Sequence, residues 1–183
     1  QAMYLFKHAL IQDTAYQSLL KSKRQQLHQE TAHVLAARFP ETVEAQPELV
    51  AHHYTEARLI AQALPYWQQA GTRALKRSAN VEAIAHVQHG LRLLATLPDT
   101  PQRTQHELAF LTTLGPALMA TKGYAAPEVV QAYTHARALC QQLGETPEHV
   151  PVLWNLWLFY LARAEHQTAM TLGEECLQIA QRM

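Results

Sequence analysis

The sequence predicts an all-α protein, built as a right-handed superhelix of antiparallel helix pairs. Apolar residues recur at three- and four-residue spacing along the 183-residue chain, and no sustained alternation of apolar and polar residues indicates a strand. Three tracts, residues 66–97, 111–143 and 153–180, repeat one arrangement: a large apolar residue, small residues at helical spacing and then a second helix. Such self-similarity is typical of α-solenoids, in which each helix pair packs on its neighbours.

Aligned on the small residue that opens each second helix, the tracts place Ala83, Val129 and Ala169 in register, 46 and 40 residues apart. A tetratricopeptide unit has about 34 residues, so these connections are long. The tracts otherwise follow the tetratricopeptide pattern, in which a bulky residue and several small ones let two antiparallel helices approach closely. The matching residues are Trp67, Ala70, Gly71, Val87 and Gly90 in the first tract, Leu111, Leu114, Gly115, Leu118, Tyr133 and Ala136 in the second, and Leu153, Leu156, Tyr160, Gly173 and Cys176 in the third.

One residue of the third tract departs from this pattern. Trp157 occupies the position that holds glycine in the other two tracts, and its bulk predicts a locally wider crossing of that helix pair. We expect Trp67, Trp154 and Trp157 to fill spaces between helices, because burying an indole ring removes about 150–250 Å² from water.

Proline and its neighbours mark the expected helix boundaries. We expect a first pair of helices over 9–20 and 21–39, a loop over 40–46 and a helix from Pro47 to Ala57, because proline suits the first helical turn. The other expected boundaries are a start near Pro65, a kink at Pro116, starts at Thr100-Pro101, Thr146-Pro147 and Pro127, a turn at Gly123 and a cap at Asn80 for a helix over 81–97.

The charge balance argues against nucleic acid as a partner. Fifteen basic and fifteen acidic side chains give a net charge of zero, which removes the attraction to phosphates that dominates nucleic-acid binding. The longest apolar run, residues 150–162, is too short to span a bilayer, and no signal-peptide pattern begins the chain. We therefore expect a cytoplasmic protein with no membrane partner, in which Cys140 and Cys176 are buried, reduced thiols.

No residue set predicts catalysis or a bound cofactor. The eleven histidines include His86 and His89, which share a helix face, but a catalytic zinc site needs a third ligand and a general-base carboxylate, and no such motif occurs. The six glycines are scattered and form no phosphate-binding loop. No serine or cysteine has the setting of an activated nucleophile. We therefore expect no enzyme activity, no metal and no cofactor in this chain.

The inner surface of the stack is the predicted partner-binding surface. In helical-repeat proteins such a concave surface holds an extended or helical segment of a protein or peptide. Two other functions remain open: a small-molecule sensor, in which Trp154, Trp157 and Tyr160 enclose a ligand, and a self-association module that pairs exposed apolar ends into a homo-oligomer. The groove positions transferred to this chain are Gln68, Thr72, Lys76, Thr112, Met119 and Trp154.

Several segments carry a family resemblance. They are Phe6 to Tyr16 (FKHALIQDTAY), Leu49 to Tyr54 (LVAHHY), Gly123 to Glu128 (GYAAPE) and Leu153 to Tyr160 (LWNLWLFY). Together they resemble the tetratricopeptide-repeat region of bacterial multidomain signalling proteins. Those proteins join a class III adenylate or guanylate cyclase, an AAA-type ATPase and C-terminal repeats.

The resemblance implies a regulatory, noncatalytic role. It implies that residues 1–45 form a helical segment following an ATPase and a winged-helix-like region that this sequence lacks, and that residues 46–183 form the helical repeats. It also implies binding of a protein, a peptide or another domain of the parent, with relay of that contact to the upstream ATPase or cyclase. The cyclase and ATPase motifs are absent from this sequence, so neither activity is carried over to it.

Overall fold

The protein is all-helical over the part of the chain that the structure describes. The computed structural model describes residue 14, residues 16–144 and residues 146–182, and it contains no strand within these ranges. Half of the expected helix over 9–20, residues 9–13 and 15, lies outside the described residues. The helices are α1 (Lys21–Arg38), α2 (Pro40–Ala45), α3 (Pro47–Glu56), α4 (Ile60–Lys76), α5 (Asn80–Leu94), α6 (Pro101–Lys122), α7 (Pro127–Leu143), α8 (His149–Ala162) and α9 (His166–Ala180).

The chain divides into two compact units, which we call unit 1, up to Ala63, and unit 2, from Leu64. Unit 1 contains α1, α2 and α3, unit 2 contains α5 to α9, and α4 crosses the boundary. None of the helices within the described ranges is long and apolar enough to cross a membrane.

Unit 1 is built by α1 packing on α3, with the short α2 between them in sequence. The expected loop over 40–46 is wrong, because Pro40 begins α2 in the way that Pro47 begins α3, with proline in the first helical turn. Glu41 lies in that first turn, where its charge complements the helix dipole. The core of the unit is small, and its buried residues include Ala32, Pro47, Val50, Ala51, Tyr54 and Ala63.

Helix ends follow the predicted signals around α6. Thr100 caps this helix, because its side-chain oxygen accepts a hydrogen bond from the backbone N–H of Arg103 at 3.2 Å, and Pro101 is the first helical residue. Gly123, with a φ of 88°, ends α6, and α7 begins at Pro127. These predicted boundaries are confirmed.

The start of α8 is displaced from its predicted position. The helix begins at His149 rather than at Thr146-Pro147. The Thr146 hydroxyl lies 3.6 Å from Cys140 Sγ, to which it donates, instead of capping α8. The Thr146 hydroxyl, which the sequence pattern predicts to cap α8, is therefore hydrogen-bonded to a thiol on α7.

Of three other boundary predictions, two are wrong and one remains a prediction. α4 begins at Ile60, so the predicted start near Pro65 is wrong. Asn80 is the first residue of α5 rather than its cap, and Ala79 before it makes no side-chain capping bond. α6 continues as a helix through Pro116, where a kink remains a prediction.

Three helix connections share one backbone turn. At Arg58, Ser78 and Ala164 the backbone has a positive φ of 64°, 60° and 57°. In each turn the N–H of the next residue donates at 2.9 Å to a carbonyl five residues back, in the pairs Leu59 to Tyr54, Ala79 to Ala74 and Glu165 to Tyr160. Glycine usually holds the left-handed position of this helix-ending motif. Arginine, serine and alanine hold it here, so the sequence contains no glycine that would predict these turns.

Glycines in unit 2 receive bulky side chains from the facing helix. A Cβ built at Gly71 of α4 would lie 2.7 Å from Val87 Cγ2 of α5. A Cβ at Gly115 of α6 would overlap the Tyr133 ring of α7. Within each of these helix pairs, the absence of a glycine side chain is what lets the facing side chain fit.

In the pair α8–α9 the large residue lies on the first helix and the glycine on the second, the reverse of the other two pairs. Trp157 of α8 takes the position that glycine holds in the other two pairs, and Gly173 of α9 lies opposite. Trp157 Cδ1 and Nε1 are each 3.6 Å from where a Cβ on Gly173 would lie. The wider helix crossing predicted from Trp157 remains a prediction, and Gly173 is the residue that accommodates the Trp157 ring. Successive pairs use a related contact, since Gly90 of α5 faces the Phe110 ring of α6.

The three tryptophans differ in burial. Trp67 is 8% exposed, and its ring centroid lies 5.6 Å from that of His86 and 4.5 Å from that of His89, so its predicted core role is confirmed. Trp157 is half-buried against α9. Trp154 is 53% exposed, so the expectation that it fills a space between helices is wrong.

Candidate interaction surface

The six residues predicted to bind a partner lie on α4, α6 and α8, the first helices of the three pairs in unit 2. Four are half-buried and two are exposed. The half-buried residues are Gln68, Thr72, Thr112 and Met119, and the exposed residues are Lys76 and Trp154.

Gln68 takes part in helix packing. Its Nε2 donates to Ala109 O and to Thr113 Oγ1, both at 2.9 Å, so the side chain joins α4 to α6. A longer contact of 3.5 Å reaches Thr72 Oγ1, and the Thr112 hydroxyl donates to Ala109 O at 3.0 Å. The Gln68 amide oxygen is buried and accepts no hydrogen bond from the described residues. Gln68 therefore has a structural role, whether or not a partner also contacts it.

An exposed apolar strip lies on the last helix pair. Trp154 and Leu161 of α8 are 53% and 41% exposed, and Met170 and Leu177 of α9 are each 59% exposed. We call these four residues the α8–α9 strip. Large apolar side chains grouped on one surface mark sites of interaction with another protein or a ligand.

The strip is centred on the contact between Trp157 and Gly173. The short turn at Ala164 makes α8 and α9 antiparallel, and the two helices pack along their length. The Trp154 ring stacks on the Trp157 ring, with centroids 4.8 Å apart and planes at 33°. On each helix, one strip residue lies about one turn before the central contact and one lies about one turn after it. Because the helices are antiparallel, Trp154 is on the same side of the contact as Leu177, and Leu161 is on the same side as Met170.

The α8 side of the strip carries no formal charge. α8 contains no Asp, Glu, Lys or Arg. Just beyond its end, Arg163 lies over the Phe159 ring at 5.7 Å, and its Nε donates to Glu165 Oε1 at 2.8 Å. The charge at this edge is therefore paired, and the α8 side of the strip suits an apolar partner.

The aromatic residues of the third tract do not share one cavity. Tyr160 lines a cleft of about 290 Å³ between α7, α8 and α9. Trp154 and Trp157 are not among the residues that line this cleft, and they stack on each other instead. Of the three aromatic residues that the sequence predicts to enclose a ligand, only Tyr160 would therefore contact a ligand in this cleft.

Histidines of unit 1 form a polar contact between α1 and α3. His28 Nδ1 and His53 Nδ1 lie 2.8 Å apart, and the His52 ring centroid is 5.8 Å from that of His28. The Tyr16 hydroxyl lies 2.8 Å from His28 Nε2, within hydrogen-bond distance. Burial is the main cause of a lowered pKa at both His28 and His53, with neighbouring imidazoles adding to it and Glu56 opposing it at His28. Both rings are therefore predominantly neutral near pH 7.

The two cysteines differ in burial. Cys140 is buried, and burial raises the pKa of its thiol, which keeps it protonated and poorly nucleophilic. Cys176 is also a free thiol but is only half-buried, so the expectation of a buried thiol is confirmed for Cys140 alone. Across the described ranges, no group of three or more His, Cys, Asp or Glu residues is placed to hold a metal ion.

Comparison with known proteins finds similarity to an uncharacterized protein. No protein-family model matches the chain. The chain is similar to an uncharacterized protein of Rhizobium meliloti (strain 1021), with 29% identity over 157 residues. The similar region covers 85% of this chain, which spans about 15% of the length of that relative.

Proposed function

We propose that the chain is a noncatalytic protein-interaction module, built as a tetratricopeptide-like α-solenoid, whose α8–α9 strip binds an amphipathic helix. The helix belongs to a protein partner or to another domain of a parent signalling protein, as the family resemblance implies. One observation carries the proposal: one helix pair carries four large apolar side chains that are each about half exposed.

Three features support the stacked arrangement. Helices that follow one another in unit 2 pack together: α5 on α6, α6 on α7, α7 on α8 and α8 on α9. A glycine meets a bulky side chain at the aligned positions of three helix pairs. The turns that end α4 and α8 have the same backbone hydrogen bonds. In such a stack each pair presents a face on which another helix packs, and a bound partner helix would use that face of the α8–α9 pair.

The strip has the dimensions of a short helix. Trp154 and Leu161 are seven residues apart on α8, as are Met170 and Leu177 on α9, so each row spans two turns, or about 10 Å. Packed helices insert side chains of one helix between the rows of another. A partner helix with apolar residues at positions i, i+3, i+4 and i+7 would fill the space between these two rows.

A second copy of the chain is a less suitable occupant. Four half-exposed side chains offer on the order of 400 Å², if a large apolar side chain presents about 200 Å² when fully exposed. Each partner of a stable complex buries about 800 Å². The strip alone is therefore large enough for a short helix and small for a stable homodimer.

A displayed library of amphipathic helical peptides, each of about 20 residues, tests the proposal. Selected peptides should bind the unmodified chain and lose about tenfold or more in affinity for the double variant Met170→Lys/Leu177→Lys, because two charges would have to be desolvated against an apolar surface. The matched control is Val81→Lys, which adds a charge at an exposed apolar residue of α5 that is 76% exposed. Its affinity should equal that of the unmodified chain.

Two results would reject the proposal. Equal peptide affinity in the double variant and the control would place the binding surface elsewhere. A concentration-dependent dimer in sedimentation, lost in the double variant and accompanied by no peptide binding, would assign the strip to a second copy of the chain.

The predicted groove residues require their own variants. Gln68→Ala would remove hydrogen bonds between α4 and α6, so a loss of binding would mix packing with recognition. Lys76→Ala and Trp154→Ala change exposed side chains and leave those hydrogen bonds intact. Weaker peptide binding by Lys76→Ala would support the groove, whereas weaker binding by Trp154→Ala alone would confine recognition to the strip.

A further inference from the structure

A cleft in unit 2 lies outside the α8–α9 strip. It encloses about 290 Å³ between α7, α8 and α9, and none of the four strip residues lines it. Leu156 and Leu172, 2% and 3% exposed, form its apolar floor. Its other lining residues are Thr134, Arg137, Tyr160, Gln167, Thr168 and Thr171.

The charge at the cleft is balanced. The guanidinium of Arg137, on α7, is hydrogen-bonded to the carboxylate of Glu175, on α9. No other lining residue carries a formal charge. An anionic ligand would compete with Glu175 for Arg137, and a cationic ligand would compete with Arg137 for Glu175. A neutral ligand leaves the ion pair intact.

The cleft also offers hydrogen-bonding groups. The hydroxyls of Thr134 and Thr168 are on exposed residues, and each can both donate and accept. The Gln167 amide adds two donors and an acceptor. Ligand hydroxyls match this lining because they too donate and accept.

The apolar part of the lining completes the match. The Tyr160 side chain and the two floor leucines offer a surface for C–H groups. A sugar-like ring has C–H groups on its faces and hydroxyls around its edge. Such a molecule could contact the floor with a face while its hydroxyls reach the threonines and Gln167.

We propose that this cleft binds a small, neutral, polyhydroxylated molecule of monosaccharide size. The volume of about 290 Å³ lies just below the range of about 300–1,000 Å³ seen for ligand sites, as suits a small molecule. The site does not depend on the α8–α9 strip, so it stands or falls separately from the proposed interaction with a helix.

Saturation-transfer NMR tests the proposal with D-glucose, D-ribose and myo-inositol as probes and glutarate as the charged comparison. The double variant Thr134→Val/Thr168→Val removes two lining hydroxyls and nearly preserves side-chain shape. Thr121→Val is the matched control, because it removes a threonine hydroxyl at an exposed position of α6 outside the cleft. Gln167→Leu, also at an exposed position, repeats the test if the double variant unfolds early.

At least one neutral probe should give a saturable signal with the unmodified chain. Its affinity should fall about fivefold or more in Thr134→Val/Thr168→Val, as expected for lost hydrogen bonds, and remain unchanged in Thr121→Val. The proposal would be overturned by the absence of a saturable signal for all three neutral probes, by equal affinities in the lining and control variants, or by binding restricted to glutarate.

Discussion

Unit 1 and unit 2 join their helices by different means. In unit 1, α1 meets α3 through the rings of His28 and His53, whose Nδ1 atoms are 2.8 Å apart. In unit 2, glycines of one helix receive side chains such as Val87 and Phe110 from the next. The first kind of contact depends on protonation, and the second depends on volume. Changes of side-chain volume should therefore act on unit 2, and changes of pH should act on unit 1.

The volume-dependent contacts are not all equally tight. At Gly71 a Cβ would lie 2.7 Å from Val87, whereas at Gly173 the nearest Trp157 atoms would be 3.6 Å away. The bulky residue lies on the second helix in the first case and on the first helix in the other. Size complementarity therefore belongs to the pair of facing positions rather than to one helix.

Trp67→Ala should have the largest effect. Trp67 is 8% exposed between α4 and α5, so its truncation leaves a cavity and should lower the free energy of unfolding by about 3–5 kcal/mol. Trp154→Ala is the matched control, because Trp154 is 53% exposed and its loss should lower stability by only about 0.5–1.5 kcal/mol, the contribution of its stacking on Trp157. Urea unfolding of both variants checks this. Equal losses would show that Trp67 is not a core residue.

Gly90→Ala should have the next largest effect. A Cβ at this position would overlap the ring of Phe110, which is 0% exposed. Overpacking of this kind should lower the free energy of unfolding by about 1–3 kcal/mol. Thermal unfolding measures the change. An unaltered midpoint would mean that α5 and α6 do not approach closely at Gly90.

Gly173→Ala should act in the opposite direction. The 3.6 Å distance to Trp157 leaves ordinary van der Waals room for a methyl group. Replacing glycine by alanine within a helix should then raise the free energy of unfolding by about 0.5–1 kcal/mol. The same unfolding experiment as for Gly90→Ala provides the comparison, and a loss of stability in both variants would remove the distinction between the tight and loose contacts.

The smallest effect should be the pH response of unit 1, because His28 and His53 are only half-buried. Burial lowers the pKa of His28 and of His53 below the value of about 6.5 expected in an unfolded chain. Below about pH 6.5 the unfolded chain therefore binds more protons than the folded one. The contribution of the two neutral rings to stability is complete above that pH and is lost as the pH falls through their lowered pKa values. Arg24 and His52 disfavour protonation of His28, and Glu56 favours it.

Hydrogen exchange near pH 7.5 and pH 5.5, on either side of the pKa of about 6.5 for an unperturbed histidine, measures this response after correction for intrinsic rates. Amides of α1 and α3 should lose protection at the lower pH, and the loss should be smaller in His53→Asn. Amides around Gly71 and Gly115 should change little. An identical pH response in His53→Asn would assign the effect to other groups.

Some helix boundaries could be predicted from local signals. Pro47, Thr100 and Pro127 mark helix starts through the chemistry of one or two residues, and the all-α class follows from the spacing of apolar residues. The turns at Ser78 and Ala164 could not be predicted in this way, because neither has the glycine that usually adopts a positive φ. A non-glycine residue keeps that conformation only where the surrounding structure determines it.

The candidate site was predictable only in part. Trp154 was among the residues expected to contact a partner, but Met170 and Leu177 were not, because exposed and buried apolar residues follow the same helical spacing in a sequence. Exposure depends on whether another helix covers the face. The role of Gln68 was missed for a related reason: its hydrogen-bond partners lie 41 and 45 residues away along the chain.

A double-mutant cycle at Gly71 and Val87 gives the most direct test of the central claim, that a bulky side chain packed on glycine holds the helix pairs of unit 2 together. Val87→Ala removes the Cγ2 atom that a Cβ at Gly71 would approach at 2.7 Å. We predict that Gly71→Ala lowers the free energy of unfolding by about 1–3 kcal/mol in the parent chain. In the Val87→Ala background the loss should be much smaller, with a coupling of about 0.5–3 kcal/mol. Equal losses in the two backgrounds would contradict the account.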